Sequence, residues 1–276
     1  MKYYQGKTVY VTGGSSGIGL AASVLLSSYG ANVAIFARNK EKLKNALGKI
    51  ESAKKSAAQR FWAVSLDVSD NRAVKKAMNK AVGEFGPPDM LVNSAGVAYC
   101  NDFEKTSFEK FDEEMRIDLY GVWNTCEALV PVMKVRGAGH IVNISSIAGL
   151  VGVYGYTAYS AAKFGLIGFS ESLRGELKPN GVNVSVLCPP DTDTPQLHEE
   201  EKTKPAETKA ISGNAGLYQP EYVARVMLRD ALKRKFIIIP GLEGKFTYLM
   251  KRLCPWLVEA VMDSAIRKVR KQGVRK

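Results

Sequence analysis

Histidine is nearly missing from this chain: His140 and His198 are the only two in 276 residues. A catalytic triad built on an imidazole base, or a centre of clustered imidazoles, is therefore excluded as the organising chemistry, and no metal is expected. Cysteine is scarce as well. Cys100, Cys126, Cys188 and Cys254 are widely spaced and form no C-x-x-C pair. That pattern suits a reducing compartment, so a cytoplasmic protein is expected. No apolar run reaches the ~18 residues a spanning helix needs: the uncharged stretches Thr8–Ala37 and Gly137–Ala162 are interrupted throughout by Gly, Ser, Thr and Asn, and Gly13 and Ser15 break the apolar start after Val11. Internal repeats and low-complexity tracts are absent too. Acidic residues are the minority, 27 against 39 Lys and Arg, a net charge of +12. What is present is ordinary for a soluble globule: 46% apolar and 24% charged residues, long enough for one large α/β domain or two small ones.

The order of segments decides between those two. A short apolar strand, Thr8 to Val11, runs directly into Thr12-Gly-Gly-Ser-Ser-Gly-Ile-Gly19, and a helix follows from Leu20 to Tyr29. Strand, glycine turn and helix in that order bring backbone N–H groups and the positive helix end against a diphosphate. Gly13, Ser15, Ser16, Gly17, Ile18 and Gly19 are the candidate contacts. Further strands are expected at Asn32–Phe36, Phe61–Leu66, Met90–Val92, His140–Ile144, Asn183–Leu187 and Phe236–Ile239, alternating with helices. One helix is expected at Asn71–Phe85, a long one over about 108–135 with Pro131 inside it, and another from Pro220 to Lys233. Seven strands alternating with helices predict a Rossmann-type doubly wound parallel sheet in a single α/β domain.

The strand ends carry the cofactor signals. The second strand leads into Ala37-Arg-Asn-Lys-Glu-Lys42, with no acid at its tip to bond a ribose hydroxyl. Arg38 is a planar, permanently charged fork suited to a 2′-phosphate, and Lys42 adds a second positive charge, so NADP(H) is favoured over NAD. A solvated helix start is the competing reading of the same residues. The third strand ends in Asp67-Val68, whose carboxylate can accept from an adenine amino group. The fourth ends in Asn93-Ser-Ala95-Gly96, small residues that let backbone approach a cofactor.

The chemistry is expected after the fifth strand. Ser145 and Ser146 close it, a Gly-rich loop follows, and a helix then opens with Tyr159 and Lys163 four residues apart. That spacing puts both side chains on one helix face. A free tyrosine, with a pKa near ~10, is a poor acid or base at neutral pH. A neighbouring ammonium and a helix N-terminus both favour phenolate, so Tyr159 is expected to be tuned toward neutrality. Ser146 can hydrogen-bond the oxygen being protonated.

Together these residues resemble the short-chain dehydrogenase/reductase family from Lys7 to about Ile239. The glycine turn, Asp67, Asn93-Ser-Ala-Gly96, Ser146, Tyr159 and Lys163 stand in that family's order and spacing. The resemblance implies that Tyr159 is the acid/base, that Ser146 orients a substrate carbonyl, and that Lys163 also holds the nicotinamide ribose. It further implies that Pro189, Thr192 and Thr194 meet the nicotinamide end. Two departures stand out. Ser94 replaces an asparagine, and Asp118 occupies the position of the family's fourth catalytic residue, an asparagine whose backbone carbonyl holds a relay water. Aspartate keeps the carbonyl and adds a charge near Lys163. By the same resemblance, a homodimer or homotetramer is expected.

Within the family, Pro189-Pro-Asp-Thr-Asp-Thr-Pro195 with its acidic continuation, and Ala37-Arg38-Asn39 followed by Lys42-Leu43, are similar to the 3-ketodihydrosphingosine reductases. The implied activity is NADPH-dependent reduction of a lipid ketone to a secondary alcohol in sphingolipid synthesis. Reductases of other lipids, steroids or 3-oxoacyl groups are the alternative within the enzyme class. A non-catalytic dinucleotide sensor on the same fold is the alternative outside it, against which the intact Ser146, Tyr159 and Lys163 argue.

Residues 1–244 read as the catalytic domain, with a substrate loop over about 190–219, and residues 245–276 as a basic amphipathic extension. That extension holds nine basic and two acidic residues. Leu249, Leu253, Trp256, Leu257, Ala260 and Val261 fall near one helical face. Three readings stay open for it: a terminal helix capping the pocket or meeting a partner subunit, a foot on an anionic membrane surface, and nucleic-acid binding. The last is disfavoured because no groove-reading motif accompanies the charge.

Overall fold

The chain folds around strands that alternate faces. In β1 (Thr8–Thr12), Val9 and Val11 enter one apolar layer and Tyr10 the opposite one. β2 (Asn32–Ala37) divides Val33 and Ile35 from Ala34 and Phe36 in the same way. Both faces are covered, which is why these strands read as nearly continuous apolar runs rather than an apolar–polar alternation. The coordinates are a computed structural model, which describes residues 1–212 and 216–273; residues 213–215 of the expected substrate loop and 274–276 of the extension lie outside the described residues.

The remaining strands are β3 (Phe61–Ser65), β4 (Met90–Asn93), β5 (Gly139–Ile144), β6 (Val182–Leu187) and β7 (Ile237–Ile238). All neighbours are parallel, in the order β3-β2-β1-β4-β5-β6-β7. The doubly wound seven-stranded sheet expected from the sequence is what forms. Its order reverses between β1 and β4, and a crevice opens there at the carboxyl ends of the strands.

The helices are α1 (Gly17–Ser28), α2 (Lys40–Ser52), α3 (Asn71–Glu84), α4 (Phe108–Met115), α5 (Gly121–Arg136), α6 (Thr157–Leu177), α7 (Pro195–Glu200), α8 (Ala206–Ser212), α9 (Pro220–Leu232), α10 (Leu242–Leu253) and α11 (Pro255–Gly273). α1 packs against α2 and α9 on one face, with Leu26, Ile50 and Met227 in its core. α3 and α5 pack together on the other face, around Met78, Leu129 and Leu166.

The long helix expected over about 108–135 is not continuous. A π-helical turn, Arg116–Tyr120, separates α4 from α5 and carries Asp118 at its centre. Such i→i+5 turns gather at functional sites and leave no compositional trace. Pro131 does lie inside α5, and the helix runs on to Arg136 before a left-handed Gly137 stops it.

His140 is a core residue. Its ring nitrogen Nε2 lies 2.8 Å from the Ser185 hydroxyl, and burial holds its pKa down at about 4. All four cysteines are free. Among the described residues, no helix is long and apolar enough to cross a membrane.

Candidate active site

The glycine turn is built by close approach. Gly13 has φ +65°, and a Cβ there would stand 2.6 Å from the backbone nitrogen of Ala95 and the carbonyl oxygen of Ser94. Only glycine allows β1 and the end of β4 to come together in this way. α1 begins at Gly17, inside the motif and three residues earlier than the expected Leu20. The N–H groups of Gly17, Ile18 and Gly19 consequently have no partner within the helix and form an anion cradle. Arg38 is exposed at the carboxyl end of β2 and borders the same crevice with Lys42. The cradle fits the diphosphate of a nicotinamide dinucleotide.

A cavity of about 630 Å³ runs from this turn to the C-terminal helices. Its wall contains Gly13, Ser15, Ser16, Gly17, Ile18, Arg38, Lys42, Asp67, Val68, Ala95, Gly96, Ser146, Tyr159, Lys163, Pro189, Thr192 and Thr194. Three candidates stand behind the wall instead. Gly19 is buried in α1, where a Cβ would meet the Gly13 carbonyl oxygen. The Asn93 amide donates to Asn143 Oδ1 at 2.9 Å, and its oxygen accepts from the Thr125 hydroxyl at 2.8 Å, so the side chain braces the sheet. Asp118 is fully buried behind Gly96.

Tyr159 and Lys163 lie on the first turns of α6, both nearly buried. The Lys163 ammonium donates to the Ile144 carbonyl at 3.1 Å, stands 3.8 Å from Asp118 Oδ2, and lies 5.4 Å from the centre of the Tyr159 ring. Asp118 Oδ1 accepts from Val97 N at 2.9 Å, while Oδ2 has no hydrogen-bond partner. Burial pushes Asp118 up to about 6, against the pull of Lys163 and the Val97 N–H.

The expected tuning of Tyr159 toward neutrality is corrected here. Its pKa lies well above the ordinary tyrosine value, first through burial and then through the charges of Glu200 and Asp118. Ser146 and Gln196 pull the other way and are outweighed. Lys163 does little to offset this, because its ammonium points at Asp118 and a backbone carbonyl. At neutral pH Tyr159 is a stable proton donor.

The rest of the wall comes from residues outside the candidate site, beside Tyr159, on the expected substrate loop and on the extension, for which capping of the pocket was one of the open readings. Tyr156, Gln196 and Glu200 face the cavity beside Tyr159, and Phe246, Thr247 and Met250 of α10 close its far side with Leu257, Val258, Val261 and Met262 of α11. α11 rests on α8, and a Lys251–Glu259 ion pair of 2.9 Å ties α10 to α11. The proline-threonine loop holds its own shape: the Thr192 hydroxyl donates to the Pro190 carbonyl at 2.9 Å, and Thr194 caps α7 by accepting from Leu197 N at 3.3 Å.

Sheet order, glycine cradle and a Tyr–Lys pair at the crevice define a doubly wound α/β oxidoreductase. The chain belongs to the short-chain dehydrogenase family, whose model matches residues 7–205. The 3-dehydrosphinganine reductase of Danio rerio is 40% identical over 240 residues, 87% of this chain and 72% of that protein. The 3-ketodihydrosphingosine reductase of Mus musculus is 41% identical over the same shares of the two chains. Among solved structures, a short-chain dehydrogenase from Streptomyces avermitilis superposes with a TM-score of 0.76 at 26% identity, covering 97% of this chain and 98% of that one. A short-chain dehydrogenase/reductase from Burkholderia phymatum, in complex with NAD, superposes at 0.81 with 23% identity, over 93% and 96% of the two chains. The last likeness concerns the fold.

Proposed function

We propose that the protein uses NADPH to reduce a long-chain 3-keto sphingoid base, 3-ketodihydrosphingosine, to its secondary alcohol. One observation carries this reading: a single cavity joins Ser146, Tyr159 and Lys163 at one end to an apolar wall from α10 and α11 at the other. A polar reacting end and a greasy far end suit a ketone with a long alkyl chain. The names of the relatives agree with it.

Bound NADPH supplies a hydride to the carbonyl carbon. The α1 N-terminus and the Gly13 turn would hold its diphosphate, and Arg38 and Lys42 would take the 2′-phosphate. Asp67 and Val68 border the adenine, with Asn93, Ala95 and Gly96 at the neighbouring strand end. Lys163 would hold the nicotinamide ribose, and Pro189, Thr192 and Thr194 would meet the nicotinamide end. Ser146 orients the substrate carbonyl. Tyr159 then gives its phenolic proton to the substrate oxygen as charge develops there. A tyrosine held well above its ordinary pKa stays protonated until it meets a stronger base, as reduction requires. Lys163 lies within reach of Asp118 for returning a proton to the site.

Asp118→Asn tests that coupling. Above about pH 6 the wild-type carboxylate is charged and disfavours the Tyr159 phenolate. Alcohol oxidation needs phenolate, so the variant is expected to gain relative rate in that direction above about pH 6 and to match wild type below it. Reduction should change by less than about tenfold, under ~1.4 kcal/mol of barrier. Superimposable pH profiles for alcohol oxidation would show that Asp118 does not act on the pair.

In the same reading residues 1–244 are the dinucleotide-binding catalytic unit and 245–276 a basic extension that walls the cavity. Tyr120, Trp123 and Phe164 are exposed near the junction of the long helix and on α6, which supports a homodimer or homotetramer. Leu249, Leu253 and Trp256 are also exposed, and so are Lys245, Arg252, Arg267 and Lys268 of the same two helices. An exposed apolar strip on a basic helical extension suits a cytoplasmic protein seated peripherally on an anionic membrane, where each basic side chain adds ~1 kcal/mol. Wild type is expected to co-sediment with phosphatidylserine vesicles and to release in part at high salt. A Leu249→Ser, Leu253→Ser, Trp256→Ser triple variant should stay in the supernatant, since none of the three lines the cavity. Undiminished sedimentation of that variant would remove the membrane assignment.

The reductase reading is tested by initial rates with NADPH across 3-ketones of increasing chain length. Long amino ketones should be strongly preferred. Indifference to chain length would discard the sphingoid substrate and retain the reductase, and no turnover of any ketone would favour a sensor.

A further inference from the structure

We propose that Glu200 forms an ammonium subsite that reads a cationic amine one carbon away from the reacting carbonyl. The proposal rests on the amino-ketone reading above and adds the group that recognises the amine. Of the carboxylates buried among the described residues, Glu114, Asp118, Glu200 and Asp230, only Glu200 lines the cavity.

Its surroundings are unusual for a buried acid. The side chain is 7% exposed, yet the groups bonded to it are neutral. Oε2 accepts from the Tyr156 hydroxyl at 2.6 Å and Oε1 from the Gln196 amide at 3.0 Å. Among the described residues no cation stands within 4.0 Å of it. Lys204, one helical turn further on, is engaged by Glu201 and lies 3.9 Å from Asp191. A carboxylate buried without a cation in contact is costly to keep ionised. Burial accordingly raises its pKa, opposed by the two hydrogen bonds and, from beyond contact, by the charge of Lys204. A cation brought by a ligand would remove that cost, whereas packing alone would be served as well by a neutral residue.

The position matches the substrate chemistry. The Tyr156 and Tyr159 rings are 5.5 Å apart, and Gln196, which bonds Glu200, is also a polar neighbour of the Tyr159 hydroxyl. The carboxylate is therefore one side chain removed from the proton donor. In a 2-amino-3-ketone the nitrogen sits on the carbon next to the carbonyl. A ketone held between Ser146 and Tyr159 can turn its ammonium toward Gln196 and Glu200. Its alkyl chain, on the other side of the carbonyl, is left facing Met250, Leu257, Val258 and Met262. Charge at one edge and apolar surface at the other would fix which way round the ketone binds.

The test compares 3-ketodihydrosphingosine with a 1-hydroxy-3-ketone of equal length that lacks the amine. In Glu200→Gln, which keeps the side chain's shape, the ratio of kcat/KM for amine over no amine should fall at least about 10-fold, the scale of one charge-assisted hydrogen bond. An unchanged ratio would overturn the proposal, even if both rates fell. A second measurement needs no variant and no turnover of an amino ketone. Octadecylamine, protonated at neutral pH, should compete with ketone at least about 10-fold better than octadecanol. Equal inhibition by the two would also overturn it. Should wild type refuse the amino ketone yet reduce the plain one, the sphingoid substrate fails, and the amine–alcohol comparison still decides the subsite.

Discussion

Tyr159→Phe is expected to lose at least about 100-fold in ketone turnover, the usual scale for a lost acid catalyst. The ring remains, so its packing against Tyr156 and its place in the wall are kept. What disappears is the phenolic proton. NADPH titration should be almost unchanged, because the proposed dinucleotide contacts lie mainly on the glycine turn, the β2 end and Lys163. A fall in kcat with intact cofactor binding separates lost chemistry from lost structure. Near-normal turnover would mean that the proton comes from elsewhere, and the Tyr–Lys assignment would be wrong.

The second large effect concerns the cofactor. Arg38→Asp replaces a permanently charged fork at the β2 end by a charge that, in the proposed function, would repel the 2′-phosphate of NADPH. The combined loss of a charge-assisted contact and gain of repulsion is about 2–4 kcal/mol. NADPH should therefore weaken by about 30- to 1,000-fold, while NADH is affected far less. Arg38 is exposed and its side chain makes no hydrogen bond among the described residues, so the fold should be indifferent to the change. An unaltered preference between the two cofactors would contradict this placement.

The sequence made some parts of this molecule legible because their physics is local. A strand running into glycines and then a helix can be read from spacing alone, and so can Tyr159 and Lys163 four apart on α6. Arg38 is visible because a ribose site usually places an acid there. Other parts depend on what comes near from elsewhere in the chain. Glu200 sits in an acidic run with Glu199 and Glu201 that reads as solvated surface. Only the docking of α7 against Tyr156 buries the middle one. The pKa of Tyr159 went the other way from expectation for the same reason. The adjacent lysine is visible in sequence, whereas burial and two distant carboxylates are not. The π turn at Asp118 has no compositional signal. The tail stayed open among several readings, since an amphipathic helix shows that it covers something without showing what. Here α10 and α11 close the far side of the cavity, and a second apolar strip through Leu249, Leu253 and Trp256 still faces outward.

The most direct test of the central claim follows the hydrogen itself. Purified protein is incubated with 3-ketodihydrosphingosine and NADPH deuterated at the transferable position of the nicotinamide, and the product is read by mass spectrometry. The account predicts a sphingoid alcohol carrying one deuterium on the former carbonyl carbon, formed in step with NADPH consumption and almost absent with Tyr159→Phe. Consumption of NADPH without label in the lipid, or label transfer that persists undiminished in that variant, would contradict it.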